Sequence, residues 1–132
     1  MRMWLCDPRI LCQKHLCGEH VEMHMFMGCL KKNKKIDGYI KKNLFEPMAL
    51  IYRHDKLAEE MVRRGFNHKT PIEECECKHI MCLPFYQRIN EIDREAALKD
   101  LLDRCPKCRK RFTNYQEAQN GTATTIPHPS SA

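Results

Sequence analysis

The sequence predicts an all-α fold: a compact single domain of about three main helices with a small zinc-stabilised C-terminal element. Three observations predict it. Apolar residues recur at helical spacing over long stretches bounded by proline and glycine; alternating β-branched runs are nearly absent; and a Cys105-Pro-Lys-Cys108 knuckle follows the last amphipathic stretch. At 132 residues the chain is long enough to bury one core and too short for two.

Asp7-Pro8 starts the first predicted helix, with a carboxylate at the N-cap and proline in the first turn. From there to about Leu30 the apolar residues Leu11, Leu16, Met23, Phe26, Met27 and Leu30 fall mainly on one side. The lysine-rich span from Lys31 to Asn43 reads as a loop or short turn. A second helix runs from Pro47 to Arg64, with Gly65 as its stop. A third covers Phe85 to Arg104. The domain is therefore assigned to residues 1–115, with the zinc element within 75–112. Residues 116–132, polar and carrying two prolines, read as a disordered tail.

The net charge is +6, and the excess is clustered. Lys31, Lys32, Lys34, Lys35, Lys41 and Lys42 form one group; Arg104, Lys107, Arg109, Lys110 and Arg111 form another. Such groups suit a polyanion. No stretch approaches the roughly 18 apolar residues of a membrane span, and no secretory leader is evident, so the expectation is a soluble, intracellular monomer without membrane contact. In that compartment the nine cysteines read as reduced thiols, some of them on metal.

Residues 1–6 include Met3, Trp4 and Leu5, apolar enough to pack. An extended arm of that length spans about 20 Å at roughly 3.3 Å per residue. A helix rising about 1.5 Å per residue reaches a similar height near Glu22. An arm folded back on its own helix thus brings the Met1 α-amine beside Glu19 or Glu22. The large Arg2 leaves Met1 in place. An α-amine has a reference pKa of about 7.7 to 8.0, against about 10.4 for lysine, so it is the readier nucleophile. With a carboxylate to move protons, an amine and a carbon electrophile form an imine.

The gapless run Arg2, Leu5, His15, Leu16, Glu19, Glu22 and Gly28 resembles the N-terminal segment of the pyrimidine-dimer DNA glycosylases with AP-lyase activity, the phage endonuclease V family. YRHDKL (residues 52–57) and RRGFNHKTP (residues 63–71) are similar to that family's central motifs. The resemblance implies an N-glycosylase and β-eliminating lyase on damaged duplex DNA, cyclobutane pyrimidine dimers being the expected lesion. It places the nucleophile on the Met1 amine and the essential carboxylate on Glu22, with no metal needed for catalysis. Arg2 and His15 would hold the DNA, and Glu19, His20, Arg53, His54 and His68 fall among the expected DNA contacts. Phage members carry arginines where this chain has Val21 and Met25, and an aromatic segment where it has CPKC.

Four thiolates from two short loops make a closed structural zinc site. The expected ligands are Cys77, Cys82, Cys105 and Cys108, with Cys75 and His79 as substitutes, while Cys6, Cys12, Cys17 and Cys29 read as core. Two other readings compete. His20 and His24 stand one turn apart with Glu22 between them, half of a catalytic metal site, so the chain could be a metal-dependent nuclease. It could also be a non-catalytic zinc module that binds nucleic acid through charge.

Overall fold

A computed structural model describes residues 1–125, and among these every regular element is helical. Seven α-helices follow in order: α1 (Gln13–Lys31), α2 (Asp37–Lys41), α3 (Leu50–Arg63), α4 (Cys77–Met81), α5 (Phe85–Arg88), α6 (Arg94–Arg104) and α7 (Pro106–Thr125). Single 3-10 turns at Pro8–Ile10, Pro47–Ala49 and Glu74–Glu76 link them. None of the described helices is long and apolar enough to cross a membrane.

α1 and α3 pack together as the centre of the domain. Their buried faces, Leu16, Met23, Phe26 and Met27 from α1 and Leu50 and Leu57 from α3, meet Met3 and Trp4 of the arm. Phe26 stacks on Phe45 with centroids 4.1 Å apart. α7 crosses back over α6 and the Pro8–Ile10 turn, so the C-terminal third of the chain closes over the start of α1.

The first three helices stop in the same way. Asn33, Asn43 and Gly65 each adopt a left-handed backbone, with φ of 57°, 58° and 90°, one residue beyond the cap. In each case the next amide turns back onto the helix: Lys34 to the Cys29 carbonyl, Leu44 to Tyr39 and Phe66 to Met61, at 2.8–2.9 Å. These are Schellman closures, for which asparagine and glycine are suited because they tolerate positive φ.

Three sequence expectations change. The first helix breaks at Leu11 and restarts at Gln13, so Pro8–Ile10 is a separate turn, capped by the Asp7 carboxylate on the Arg9 amide. The third divides at residues 90–92, where the Glu46 carboxylate takes the Ile92 amide at 2.9 Å and the Asn90 side chain donates to the Phe45 carbonyl. The Asp93 carboxylate then caps α6 by accepting from the Ala96 amide. Residues 116–125, read as unstructured, continue α7; residues 126–132 of the expected tail lie outside the described residues.

Candidate active site and metal centres

The N-terminal arm lies back along α1, in register with two acidic residues one turn apart. The Trp4 amide donates to Glu19 Oε2 at 3.1 Å, and the Arg2 amide donates to Glu22 Oε1 at 2.6 Å. Met3 faces the other way, fully buried, with its amide on the Leu44 carbonyl at 2.8 Å. Leu5 takes φ of 55°, a costly conformation for a side chain branched at Cγ, where the arm turns toward Asp7. The α-amine is three covalent bonds from the Arg2 nitrogen, hence within about 4 Å of it. The backbone atom that touches Glu22 is thus the Arg2 nitrogen, one residue in from the terminus.

Met1 and Glu22 share an open cleft of about 510 Å³ with Lys14, His15 and Arg104 on its walls. The Arg2 guanidinium sits over Trp4, its Cζ 3.7 Å from the ring centroid, and reaches Asp100 Oδ2 at 2.7 Å. Asp100 also accepts from Arg104 at 2.8 Å, so one carboxylate couples both arginines to α6. Arg2 therefore lines the cleft while its guanidinium is held inside the protein.

Several residues expected to touch DNA are buried. Arg53 is 4 % exposed and grips Glu19, itself 2 % exposed, at 2.7 and 2.9 Å; it also donates to the Cys6 carbonyl. Neither can reach a phosphate from there, and the pair instead anchors the arm, since Glu19 also holds Trp4. Burial pushes the neighbouring Cys6 thiol up to about 11. His20 and His54 are likewise buried, and His68 is half-buried against them. Glu19, His20, Arg53 and His54, expected among the DNA contacts, are thus interior side chains in this structure.

The zinc ligands expected from the sequence do not assemble. Cys77, Cys82 and Cys75 are exposed and His79 is half-buried, and none joins the knuckle. Cys105 and Cys108 meet Cys12 and His15, because α7 packs over the start of α1 rather than over α4. His15 Nδ1 lies 3.2 Å from Cys12 Sγ and 3.6 Å from Cys108 Sγ, and the Cys12 and Cys105 sulfurs are 3.8 Å apart. A tetrahedral zinc with bonds of about 2.3 Å to sulfur and about 2.0 Å to nitrogen has edges near 3.8 Å (S to S) and 3.5 Å (S to N). The ligand shell fits a metal ion of that kind. Two backbone amides point at its sulfurs: Cys12 on Cys108 at 3.2 Å and Cys108 on Cys105 at 3.4 Å.

Burial, then Lys14, lowers the His15 pKa. Burial disfavours a Cys105 thiolate, but hydrogen bonds from Cys108 and Cys12 outweigh it and lower that pKa; burial first, then the neighbouring Cys105 and Cys12 thiols, drives Cys108 upward. A readable signal was present: Cys12-Gln-Lys-His15 repeats the two-residue gap of Cys105-Pro-Lys-Cys108. Assigning His15 to DNA and Cys12 to the core concealed it.

A second cluster brings His20 and His24 of α1 together with His54 of α3 and His68 from the segment after it. The ring centroids in contact are 4.7–5.2 Å apart. Burial, followed by the neighbouring histidines, lowers His20 to about 4, and burial lowers His24 as well. Glu22 takes no part. Two residues along a helix is about 200° of rotation, so Glu22 faces the arm while His20 and His24 face α3. The HVEMH motif is divided between two sides of α1 and is not one metal site.

Fold and cleft together describe a small all-helical enzyme built around its own N-terminal arm. The family model for pyrimidine dimer DNA glycosylase matches residues 1–74, more than half of the chain, and the chain belongs to that family. Its activity class is DNA glycosylase and its partner is DNA. Neither the curated proteins nor the solved structures compared with it include a match.

Proposed function

We propose that this glycosylase also cleaves the strand as an AP lyase, acting on damaged duplex DNA with cyclobutane pyrimidine dimers as the lesion, through an imine formed by the Met1 α-amine. The contact that carries the reading is the 2.6 Å hydrogen bond from the Arg2 amide to Glu22, which sets the terminus against a carboxylate within one cleft. The amine attacks C1′ of the damaged nucleotide once the stack is opened, and the glycosidic bond breaks as the base leaves with the bonding electrons. Sugar-ring opening gives the imine. Glu22 takes the proton from C2′, the C3′–O bond breaks and the 3′ phosphate departs. Water hydrolyses the imine and frees the amine. Lys14 and Arg104, on the walls of the cleft, suit the flanking phosphates.

The Cys12, His15, Cys105 and Cys108 site holds a structural zinc in this reading. It ties the start of α1 to the N-terminus of α7 and so orients the His15 and Lys14 side of the cleft. No step of the chemistry runs through it. The enzyme acts inside the cell as a monomer.

The test is incubation with abasic-site and thymine-dimer duplexes in borohydride, followed by mass mapping of the trapped adduct. A covalent adduct on the terminal residue is expected. An adduct mapped to a lysine, or none with either duplex, overturns the assignment. Glu22→Gln separates the enzyme from a charge-driven binding module: the enzyme loses nicking and keeps DNA binding, whereas a variant that still nicks defeats the role given to Glu22.

A further inference from the structure

We infer that His20, His24, His54 and His68 form a second metal site, which takes a divalent transition ion of the zinc type and acts as a clamp rather than a catalyst. The four ligating atoms lie within 4.8 Å of one another. Around a tetrahedral zinc they would lie about 3.3 Å apart, given bonds of about 2.0 Å to imidazole nitrogen. The difference is within reach of side-chain torsions.

The independent observation is polar. The Nε2 atoms of His20, His24 and His68 are buried from solvent and have no hydrogen-bond partner among the described residues. Buried nitrogens without partners are rare in folded proteins and call for an explanation. Three of them in one four-histidine cluster are explained together by a single ion. His54 supplies the fourth side. Its Nδ1 lies 2.9 Å from Asp55 Oδ1 and its Nε2 lies 3.0 Å from the Thr70 carbonyl. A neutral imidazole has one N–H and can donate to only one of these acceptors; to ligate, the ring keeps that contact and turns its other nitrogen from the second oxygen to the ion. Retaining Asp55 would reproduce the carboxylate–histidine–metal relay that orients ligands in known sites. Imidazole-only shells suit zinc, copper, nickel and iron rather than calcium or magnesium.

The position indicates what the ion does. His20 and His24 belong to α1 and His54 to α3, while His68 sits in the stretch between Gly65 and Glu73, which has no regular structure of its own. One ion would fasten that stretch to both central helices. Its distance from the chemistry follows from Glu22 facing the opposite side of α1.

The full chain, stripped by chelator under reducing conditions, is titrated with cobalt(II) and, separately, zinc(II). The wild type is expected to take up two equivalents, of which only one shows the sulfur-to-cobalt charge-transfer band of the thiolate site. His68→Ala and, separately, His24→Ala should drop uptake from two equivalents to one and leave the charge-transfer band intact. The Cys105→Ser/Cys108→Ser double variant should lose the band and keep one equivalent. A wild type that binds a single equivalent with full thiolate signature, or histidine variants that bind as much as the wild type, overturns the inference. A single equivalent without the thiolate band, lost in His68→Ala, supports the histidine site alone. Since the readout is metal uptake, failure of the imine mechanism would leave this result standing, and the reverse.

Discussion

Glu19 and Arg53 form a two-point ion pair at 2.7 and 2.9 Å in the interior, with neither partner more than 4 % exposed, and the same carboxylate takes the Trp4 amide. The arm that carries the terminus is therefore held by a charge whose own partner comes from another helix. Replacing Arg53 with methionine leaves Glu19 charged, buried and unpaired, a change that costs about 3–5 kcal/mol in comparable pairs. Urea unfolding should show a loss of that size. Glu19→Gln should cost less, because a neutral amide still accepts from Trp4 and leaves Arg53 with the Cys6 carbonyl.

Glu22→Gln keeps a carbonyl oxygen for the Arg2 amide, so the arm should stay in place and DNA binding should persist. Proton transfer disappears. General-base contributions are typically about 10²- to 10⁴-fold, and single-turnover cleavage of an abasic duplex should slow by that order. Equal rates for variant and wild type would remove Glu22 from the mechanism.

The thiol site makes a prediction that separates two ligand sets. Cys12→Ser and Cys108→Ser should each release one zinc equivalent and lower the melting temperature, whereas Cys77→Ser and Cys82→Ser should leave metal content unchanged. With zinc a thousandfold above its dissociation constant, binding stabilises the folded state by about 4 kcal/mol. Chelation should therefore shift the unfolding midpoint of the wild type by more than that of Cys108→Ser, the difference being the share of the thiolate site.

Asp7 caps the Pro8–Ile10 turn and accepts from the Tyr115 hydroxyl of α7 at 3.0 Å. Hydrogen bonds from Arg9, working against partial burial, hold its carboxyl below the ordinary range. A carboxyl whose folded pKa is depressed contributes stability above its unfolded value of 3.8 and loses it as pH falls through the folded one. Asp7→Ala should cost about 1 kcal/mol at neutral pH, the usual loss for an N-cap. The gap between variant and wild type should close below pH 4. A gap that stays constant into strong acid would show that the cap's charge contributes nothing.

Much of this molecule was legible in the chain. Gly65 marked the end of the second predicted helix, because closing a helix needs positive φ, which glycine adopts cheaply. The register of the arm followed from two rises, about 3.3 Å per extended residue and about 1.5 Å per helical residue, which forces a six-residue arm to end near Glu22. These are local properties of the backbone, and sequence encodes them directly.

What only the tertiary structure decided were the partners. Cys105 and Cys108 could pair with any thiol or imidazole that packing brought within 4 Å, and the return of α7 over the start of α1, not proximity along the chain, selected Cys12 and His15. His20 and His24 were visible as one face of a helix, but His54 and His68 joined them through the packing of α1 on α3. Arg53, expected among the DNA contacts, is likewise found buried as the counterion of Glu19. Ligand shells and ion pairs are contacts between elements distant in sequence, and short-range spacing supplies the groups without choosing which of them meet.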